Sequence, residues 1–211
     1  MSKRDYQLSI LAGLIMGLLV LPVLKAVDPE VFARFACATV PVFLVMTPLG
    51  LSIAYSLGRR APVLWQAGKF AVTGVLNMLV DWGALASLVF LFRRYFGIDS
   101  RDFILAGVTA YSFSKALSFI LANINSYYWN KYWTFGVYAG GKMKSEFFQF
   151  FVVSVLGFII NVFIASSVFM AAHPPRGFTM DQWGIIGAAA GSLAGFLWNF
   201  LGYKFFVFRS R

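Results

Sequence analysis

The sequence predicts an all-α, polytopic integral membrane bundle of six transmembrane helices, and three observations carry this prediction. Of its 211 residues, 60% are hydrophobic and only 12% are charged, whereas a soluble domain is about 45–50% apolar and about 25% charged. The mean hydropathy is +0.75. Six separate segments reach the length needed to cross a bilayer, which is about 20 mainly apolar residues. This composition excludes a disordered chain and argues against an ordinary soluble enzyme.

The six segments follow one another through short connections, as expected of antiparallel neighbours in one bundle. The third segment contains one charge, Asp81, and the fourth contains one charge, Lys115; the others are uncharged. The six predicted spans are Tyr6–Leu24, Phe35–Gly58, Phe70–Phe92, Phe103–Asn130, Phe147–Ala172 and Trp183–Tyr203.

The single cysteine and the single histidine exclude a disulfide framework and metal sites built from several thiolates or imidazoles. No nucleophile and base stand in a pattern typical of catalysis, so we expect neither an enzyme nor a bound metal or cofactor. The net charge of +10 would suit a nucleic acid in a polar protein. In a chain this apolar, basic loops instead indicate membrane topology and anionic headgroups, and no nucleic-acid partner is expected.

The loop charges also predict the orientation of the chain. With six spans, both termini share one side with the second–third and fourth–fifth connections. That side carries 11 Lys and Arg residues, Lys142 and Lys144 among them, and the opposite side carries 6. Because positively charged loops stay in the cytoplasm, both termini are predicted to be cytoplasmic.

The last four spans are predicted to form two repeats of two helices each. When the third span is aligned with the fifth, Asp81 corresponds to Asn161. When the end of the fourth span is aligned with the end of the sixth, Lys131 corresponds to Lys204. Each repeat then ends in an aromatic–lysine–aromatic stretch, and repeats of this kind are a common plan for transporters.

Several polar residues lie deep in the predicted spans. Residues three and four apart share a helix face, so Asn77 and Asp81 share one stripe, Lys115 and Asn125 share another, and Asn161 lies on the stripe matching Asp81. An isolated charge at the bilayer centre costs at least about 2.5–3.5 kcal/mol, so Asp81 and Lys115 are predicted to pair. The pair is interpreted as a structural pin of the bundle or as part of a charged pathway or ligand site.

The stretch from Tyr127 to Phe135 is the most informative one in the chain. It places Lys131 beside the Asn130 amide and close to the Trp133 indole. One interpretation is an aromatic belt whose lysine snorkels to the interface. The other is a site for a headgroup phosphate, because a cation flanked by amide and indole donors binds phosphate well.

These residues resemble the GtrA-like family of small bacterial membrane proteins. The resemblance covers about residues 69–209 and rests on three motifs: KFAVTGVLN at 69–77 with Asp81, NKYWTF at 130–135, and NFLGYKFFVF at 199–208. It divides the chain into an N-terminal transmembrane hairpin, residues 1–60, and a GtrA-like four-helix domain, residues 61–211. The chain departs from the family in that hairpin, in lysine where arginine is common at 131 and 204, and in Tyr203 where asparagine is expected.

The resemblance implies that the chain flips a polyprenyl-phosphate-linked sugar from the cytoplasmic to the outer face of the bacterial cytoplasmic membrane, for modification of a cell-surface glycopolymer. Expected partners are this lipid, membrane lipids, a membrane glycosyltransferase and a second copy of the chain. The expected substrate-binding residues are Lys131, Lys204, Asn130, Trp133, Asn77, Asp81, Lys115, Asn125 and Asn161. The alternatives are a scaffold that recruits a polyprenyl-phosphate glycosyltransferase and a transporter of small solutes or ions.

Overall fold

The computed structural model describes residues 1–105, 107–138, 143–171 and 180–208, and these residues form a helical protein. Because its long helices are apolar, the predicted all-α polytopic membrane bundle is confirmed. The helices are α1 (Lys3–Val27), α2 (Pro29–Gly58), α3 (Pro62–Leu91), α4 (Ala110–Trp129), α5 (Met143–Ala171) and α6 (Met180–Gly202).

Three of these helices continue into wider π-helical turns of five residues. The turns follow α3, α4 and α6 and span Phe92–Phe96, Asn130–Thr134 and Tyr203–Val207. Within the described residues, the only strands are β1 (Phe103–Leu105) and β2 (Val108–Thr109), which pair in an antiparallel hairpin directly before α4.

The helix starts follow from capping residues in the local sequence. The Ser2 side chain accepts a hydrogen bond from the Asp5 backbone N–H at the start of α1. Asp28 caps α2 in the same way, and Thr109 caps α4 by accepting from the Ser112 backbone N–H. Each cap satisfies N–H groups that have no partner inside the helix, so each helix begins directly after it.

Five helices of the described chain are long and apolar enough to cross a membrane. These are Lys3–Val27, Pro29–Gly58, Pro62–Phe96, Met143–Met170 and Trp183–Val207.

The fourth predicted span, Phe103–Asn130, differs from what the structure forms. Its first part contains the two strands of the β-hairpin, between which Gly107 takes a positive φ of 76°. The helix starts only at Ala110 and carries many serine and asparagine residues, which lower its hydropathy. It nevertheless runs along α3, against which it packs.

The contacts divide the chain into two compact units, Met1–Gly136 and Val137–Arg211. In the first unit, α1 packs on α2 and α3, and α4 packs on α3. The α1–α2 contact is close because it uses Gly13 and Gly17: a Cβ at Gly17 would lie 2.6 Å from the Cα of Val40. A buried core between α1 and α3 consists of Ala12, Met16, Leu76 and Leu79.

The second unit is the α5–α6 pair with its terminal π-helical turn. Glycines of α6 lie against the α5 backbone: a Cβ at Gly187 would be 2.9 Å from the Ala165 carbonyl oxygen, and one at Gly195 would be 3.0 Å from that of Gly157. Small residues let two helices approach this closely and gain van der Waals contact in an apolar surrounding.

The predicted repeat is visible in the local structure of both units. The π-helical turns Asn130–Thr134 and Tyr203–Val207 occupy equivalent positions in the predicted alignment of the two repeats. Each contains the predicted lysine, Lys131 or Lys204. Both lysines lie over the rings of the residue four before and the residue one after, at 5.4–5.8 Å from the ring centroids.

The same repeat relates two pairs of aromatic rings. Phe70 and Phe135 lie 6.4 Å apart in the first repeat, and Phe150 and Phe208 lie 6.1 Å apart in the second. In each repeat, an aromatic ring in the N-terminal part of the first helix therefore packs against a ring at the end of the second helix.

Candidate functional site

The predicted pair of deep charges forms at the α3–α4 contact. The Lys115 Nζ donates a hydrogen bond to Asp81 Oδ2. The Ser118 hydroxyl donates to the other oxygen, Asp81 Oδ1, at 2.7 Å. The Asp81 side chain is 19% exposed and that of Lys115 is 41% exposed, so the carboxylate is enclosed while the ammonium keeps an open side.

Further polar side-chain atoms of α3 and α4 are buried and have no hydrogen-bond partner among the described residues. They include Asn77 Oδ1 on α3, and Ser114 Oγ and Asn125 Nδ2 on α4. Asn77 lies one helical turn before Asp81, on the same stripe. An unsatisfied buried group costs about 1–3 kcal/mol, so these positions provide an acceptor and donors that a polar ligand can satisfy.

The aromatic–lysine end of α4 holds two more predicted site residues, Asn130 and Lys131. The Asn130 Nδ2 donates to the Ser126 carbonyl oxygen at 2.8 Å, and Asn130 Oδ1 is buried without a partner in the described chain. Lys131 is 4% exposed, and its Nζ donates to the Tyr127 hydroxyl at 3.1 Å. The Lys131 ammonium is thus held inside the protein rather than extended from it.

The third predicted residue of this end, Trp133, belongs to a separate group of polar contacts. Its indole Nε1 donates to Asp5 Oδ1 at 3.1 Å, and its carbonyl oxygen accepts from Lys69 Nζ at 2.9 Å. Lys69 Nζ and Asp5 Oδ1 lie 3.8 Å apart. One turn further along α3, the hydroxyls of Thr73 and Thr134 lie 3.3 Å apart.

Sequence reasoning missed Asp5 and Lys69 as members of this group. Lys69 opens the first of the three motifs, so its place in that motif was an available signal. Asp5 carries no such signal, because 128 residues separate it from Trp133 and only the packing of α1 on α3 brings it there.

The two remaining predicted residues, Lys204 and Asn161, lie in the second unit. Lys204 lies over Phe200 and Phe205 in the terminal π-helical turn. Asn161 lies in the α5–α6 contact: a Cβ at Gly195 would be 3.2 Å from the Asn161 Cβ. Asn161 therefore packs against the small residues of α6.

The second repeat does not duplicate the charged pair. In the alignment that places Lys131 on Lys204, Lys115 corresponds to Ala188, and Ser118 corresponds to Gly191. The deep charged cluster therefore belongs to the first repeat alone, where it holds Asp81, Lys115 and Ser118. The equivalent part of the second repeat is occupied by helix contact.

In chemical terms, the first unit offers hydrogen-bonding groups and charges. No three His, Cys, Asp or Glu residues come together as metal ligands in the part of the chain that the structure describes. The cations Lys69 and Lys131 lie near one end of the α3–α4 pair, and the Asp81–Lys115 pair lies about 18 Å along α3, at about 1.5 Å per residue. Such an arrangement can bind an anionic and hydroxyl-rich headgroup.

Comparison with protein families gives a match over most of the chain. The family described as GtrA/DPMS, transmembrane domain, matches residues 69–208. The matched region begins inside α3, covers both repeats and leaves α1 and α2 outside. Neither a curated protein nor a solved structure matches the chain. Because the match covers about two thirds of the sequence, the chain belongs to the GtrA/DPMS transmembrane-domain family, which places it among membrane proteins involved in handling polyprenyl-linked sugars.

Proposed function

We propose that this protein moves a polyprenyl-phosphate-linked sugar between the two leaflets of a membrane without changing it covalently. Family membership supports the class of substrate. The observation that carries the transport step is the set of polar groups along α3 and α4. It consists of the paired Asp81 and Lys115 and of the amide atoms of Asn77 and Asn125, which have no hydrogen-bond partner among the described residues. Polar side chains that hold two helices together in lipid do so by bonding to each other, whereas Asn77 Oδ1 and Asn125 Nδ2 have no such partner in the described chain.

In the proposed mechanism the headgroup passes along the first repeat while the prenyl tail stays in the lipid. Lys131 attracts the phosphate at the end of the first repeat, and Lys204 is the equivalent cation at the end of the second repeat. The sugar hydroxyls then exchange water for the amides of Asn77 and Asn125 and for the Asp81–Lys115 pair, which lowers the cost of crossing the apolar region. Without an energy source the protein equilibrates its substrate, and net flow follows from consumption of the sugar on the far side.

We further propose that the protein lies in a bacterial cytoplasmic membrane with both termini in the cytoplasm. The excess of Lys and Arg on the side of the termini supports this orientation. The substrate then enters at the end that holds Lys131 and leaves on the side of the β-hairpin formed by β1 and β2.

The decisive experiment is a leaflet-exchange assay with the purified full chain in liposomes. The probe is a short-chain polyprenyl-phosphate sugar with a fluorescent label that dithionite bleaches only in the outer leaflet. We expect the protein to make the inner-leaflet label accessible. Asn77→Ala and Asn125→Ala should slow this exchange, because each removes an amide that the sugar would use.

Asn123→Ala is the matched control. Asn123 is also a buried asparagine on α4, but its Nδ2 is already bonded to the Phe119 carbonyl oxygen at 2.9 Å. The Asn123→Ala variant should therefore exchange lipid at the wild-type rate. An inactive wild-type protein that still retains a polyprenyl-phosphate glycosyltransferase would favour the scaffold hypothesis. Exchange that is equally fast in all three variants would remove the α3–α4 contact from the pathway.

A further inference from the structure

A partly buried carboxylate from the N-terminal helix lies against two donors from the family-matched part of the chain. Asp5 Oδ1 accepts from the Trp133 indole at 3.1 Å and lies 3.8 Å from the Lys69 ammonium. The side chains are well enclosed: Asp5 is 17% exposed and Lys69 is 13% exposed. The donors lie in residues 69–208, whereas Asp5 comes from α1, outside the match.

The Asp5 carboxylate does not saturate the hydrogen-bonding capacity of the Lys69 ammonium. The Lys69–Asp5 contact of 3.8 Å is longer than a direct N–H···O hydrogen bond, which spans about 2.7–3.2 Å. Lys69 directs one of its three N–H groups to the Trp133 carbonyl oxygen, so its ammonium retains capacity for an anion. Arg4 adds a second cation, whose guanidinium donates to the Tyr132 carbonyl oxygen at 3.4 Å. The group formed by Arg4, Asp5 and Lys69 thus carries a net positive charge.

We propose that Lys69 and Trp133 form a binding site for a phosphate anion, that Asp5 fills this site in the state seen here, and that the phosphate of the lipid carrier displaces Asp5. This inference rests on the proposed function for the source of the phosphate. A phosphate group offers more oxygens than a carboxylate and binds the ammonium and the indole N–H together. Asp5 is then a built-in competitor that keeps the site closed until substrate arrives.

The position of Asp5 in its helix allows this displacement. Asp5 lies in the first turn of α1, which is held by Ser2: the Ser2 side chain caps the Asp5 N–H at 3.0 Å and donates to Asp5 Oδ2 at 2.6 Å. The tight packing of α1 lies further along, at Gly13 and Gly17. A terminal helical turn opens at a small fraction of the global stability, so Asp5 can leave without unpacking α1.

The test measures binding of farnesyl phosphate to the purified full chain in nanodiscs of neutral phosphatidylcholine. Farnesol, which lacks the phosphate, and inorganic phosphate, which lacks the chain, are measured in parallel. The central variant is Asp5→Asn, which removes the charge and keeps the side-chain volume. If Asp5 fills the site in about nine molecules of ten, its removal tightens farnesyl phosphate binding about ten-fold.

Asp99→Asn is the matched control, because Asp99 also pairs with a cation, Arg93 at 2.7 Å, but on an exposed loop after α3. It should bind farnesyl phosphate as the wild type does. Lys69→Gln places at position 69 the residue that the second repeat carries at position 149. Lys69→Gln should abolish the gain in farnesyl phosphate affinity. The double variant Asp5→Asn with Lys69→Gln should then bind no more tightly than Lys69→Gln alone.

Ser2→Ala keeps the Asp5 charge and removes the hydroxyl that caps the first turn and bonds to the Asp5 carboxylate. It should also tighten farnesyl phosphate binding, which keeps the proposal testable if Asp5→Asn fails to fold. Unchanged or weaker binding in both Asp5→Asn and Ser2→Ala, or an equal gain for farnesol, overturns the proposal. If inorganic phosphate shows the same gain and the same affinity as farnesyl phosphate, the assignment to a lipid carrier is overturned.

These measurements do not depend on transport. If the binding pattern appears while the wild-type protein exchanges no lipid between leaflets, the proposed transport fails and the anion site stands. If transport is normal and Asp5→Asn binds farnesyl phosphate as the wild type does, the anion site fails and the proposed function stands.

Discussion

Ser118 donates a 2.7 Å hydrogen bond to Asp81 Oδ1, the carboxylate oxygen opposite the one that Lys115 occupies. The two donors are three residues apart on α4, so successive positions of one helix face hold both oxygens. This arrangement fixes the orientation of the carboxylate more firmly than the ion pair alone. Both carboxylate oxygens of Asp81 therefore have a hydrogen-bond donor on α4.

The structural and functional roles of the Asp81–Lys115 pair are separable by a double variant. Asp81→Asn alone leaves the Lys115 ammonium without its counter-ion and is expected to destabilise the protein by about 3 kcal/mol. Asp81→Asn combined with Lys115→Met removes both charges and should restore the thermal stability. If the pair serves the substrate, the double variant should fold and fail to exchange lipid between leaflets.

Thermal unfolding in detergent and leaflet exchange in liposomes should be measured on the same preparation of the double variant. A variant that is stable and fully active would remove both residues from the proposed pathway. Ser118→Ala removes one hydrogen bond to Asp81 and keeps both charges. Its thermal stability should therefore lie between those of the wild type and Asp81→Asn.

Lys131 is predicted to contribute to phosphate binding in the lipid headgroup. Lys131→Ala removes the ammonium that Tyr127 holds at 3.1 Å. A hydrogen bond to a charged group contributes about 1.5–3 kcal/mol, so the affinity for polyprenyl phosphate should fall about ten-fold or more. Lys131→Arg keeps the charge and should largely preserve the affinity, as measured by equilibrium binding to nanodiscs.

Tyr127→Phe is the control for this prediction. It removes the hydroxyl partner of Lys131 and leaves the cation over the ring, so it should retain most of the affinity. Wild-type affinity in Lys131→Ala would limit Lys131 to anchoring the end of α4 at the interface.

Much of the fold could be predicted from residue patterns because the determining signals are local. Six long apolar segments predict six helices, and the alignment of Lys131 with Lys204 locates two equivalent π-helical turns. The Asp81–Lys115 contact was also predictable, since two opposite charges at similar depth on consecutive antiparallel helices lower each other's cost in lipid.

Other features depend on tertiary packing and left little trace in the sequence. The hairpin before α4 is built mostly from apolar residues, so its composition resembles that of a membrane span, and Gly107 is the residue that takes a positive φ between its strands. The Asp5–Trp133 contact joins residues 128 positions apart. It requires the packing of α1 on α3 through Ala12 and Met16, which hydrophobic periodicity alone does not specify.

The predicted orientation can be tested with cysteines placed at the two ends of the bundle. The native Cys37 is exposed and is first replaced by alanine. Position 142 of the predicted cytoplasmic loop lies outside the described residues, so the test uses exposed Lys144 in the first turn of α5. In intact cells, an impermeant maleimide should label Arg94→Cys and should not label Lys144→Cys until the cells are opened.

The two positions serve as controls for each other, because they are predicted to lie on opposite sides of the membrane. Labelling of position 144 in intact cells together with protection of position 94 would place both termini outside. Labelling of both positions in intact cells would show that α4, the helix between them, does not span the membrane.

The close packing of α6 on α5 predicts a sharp difference between two glycines. A Cβ at Gly191 would collide with the backbone carbonyl oxygen of Asn161, which cannot move without displacing α5. Gly191→Ala should therefore force the helices apart and lower stability by about 1–3 kcal/mol. At Gly74 on α3, an added Cβ would have no atom within 4 Å. Gly74→Ala should therefore leave the thermal midpoint of unfolding unchanged or raise it slightly, because alanine is the better helix former. Equal thermal midpoints for the two variants in detergent would contradict the close α5–α6 contact.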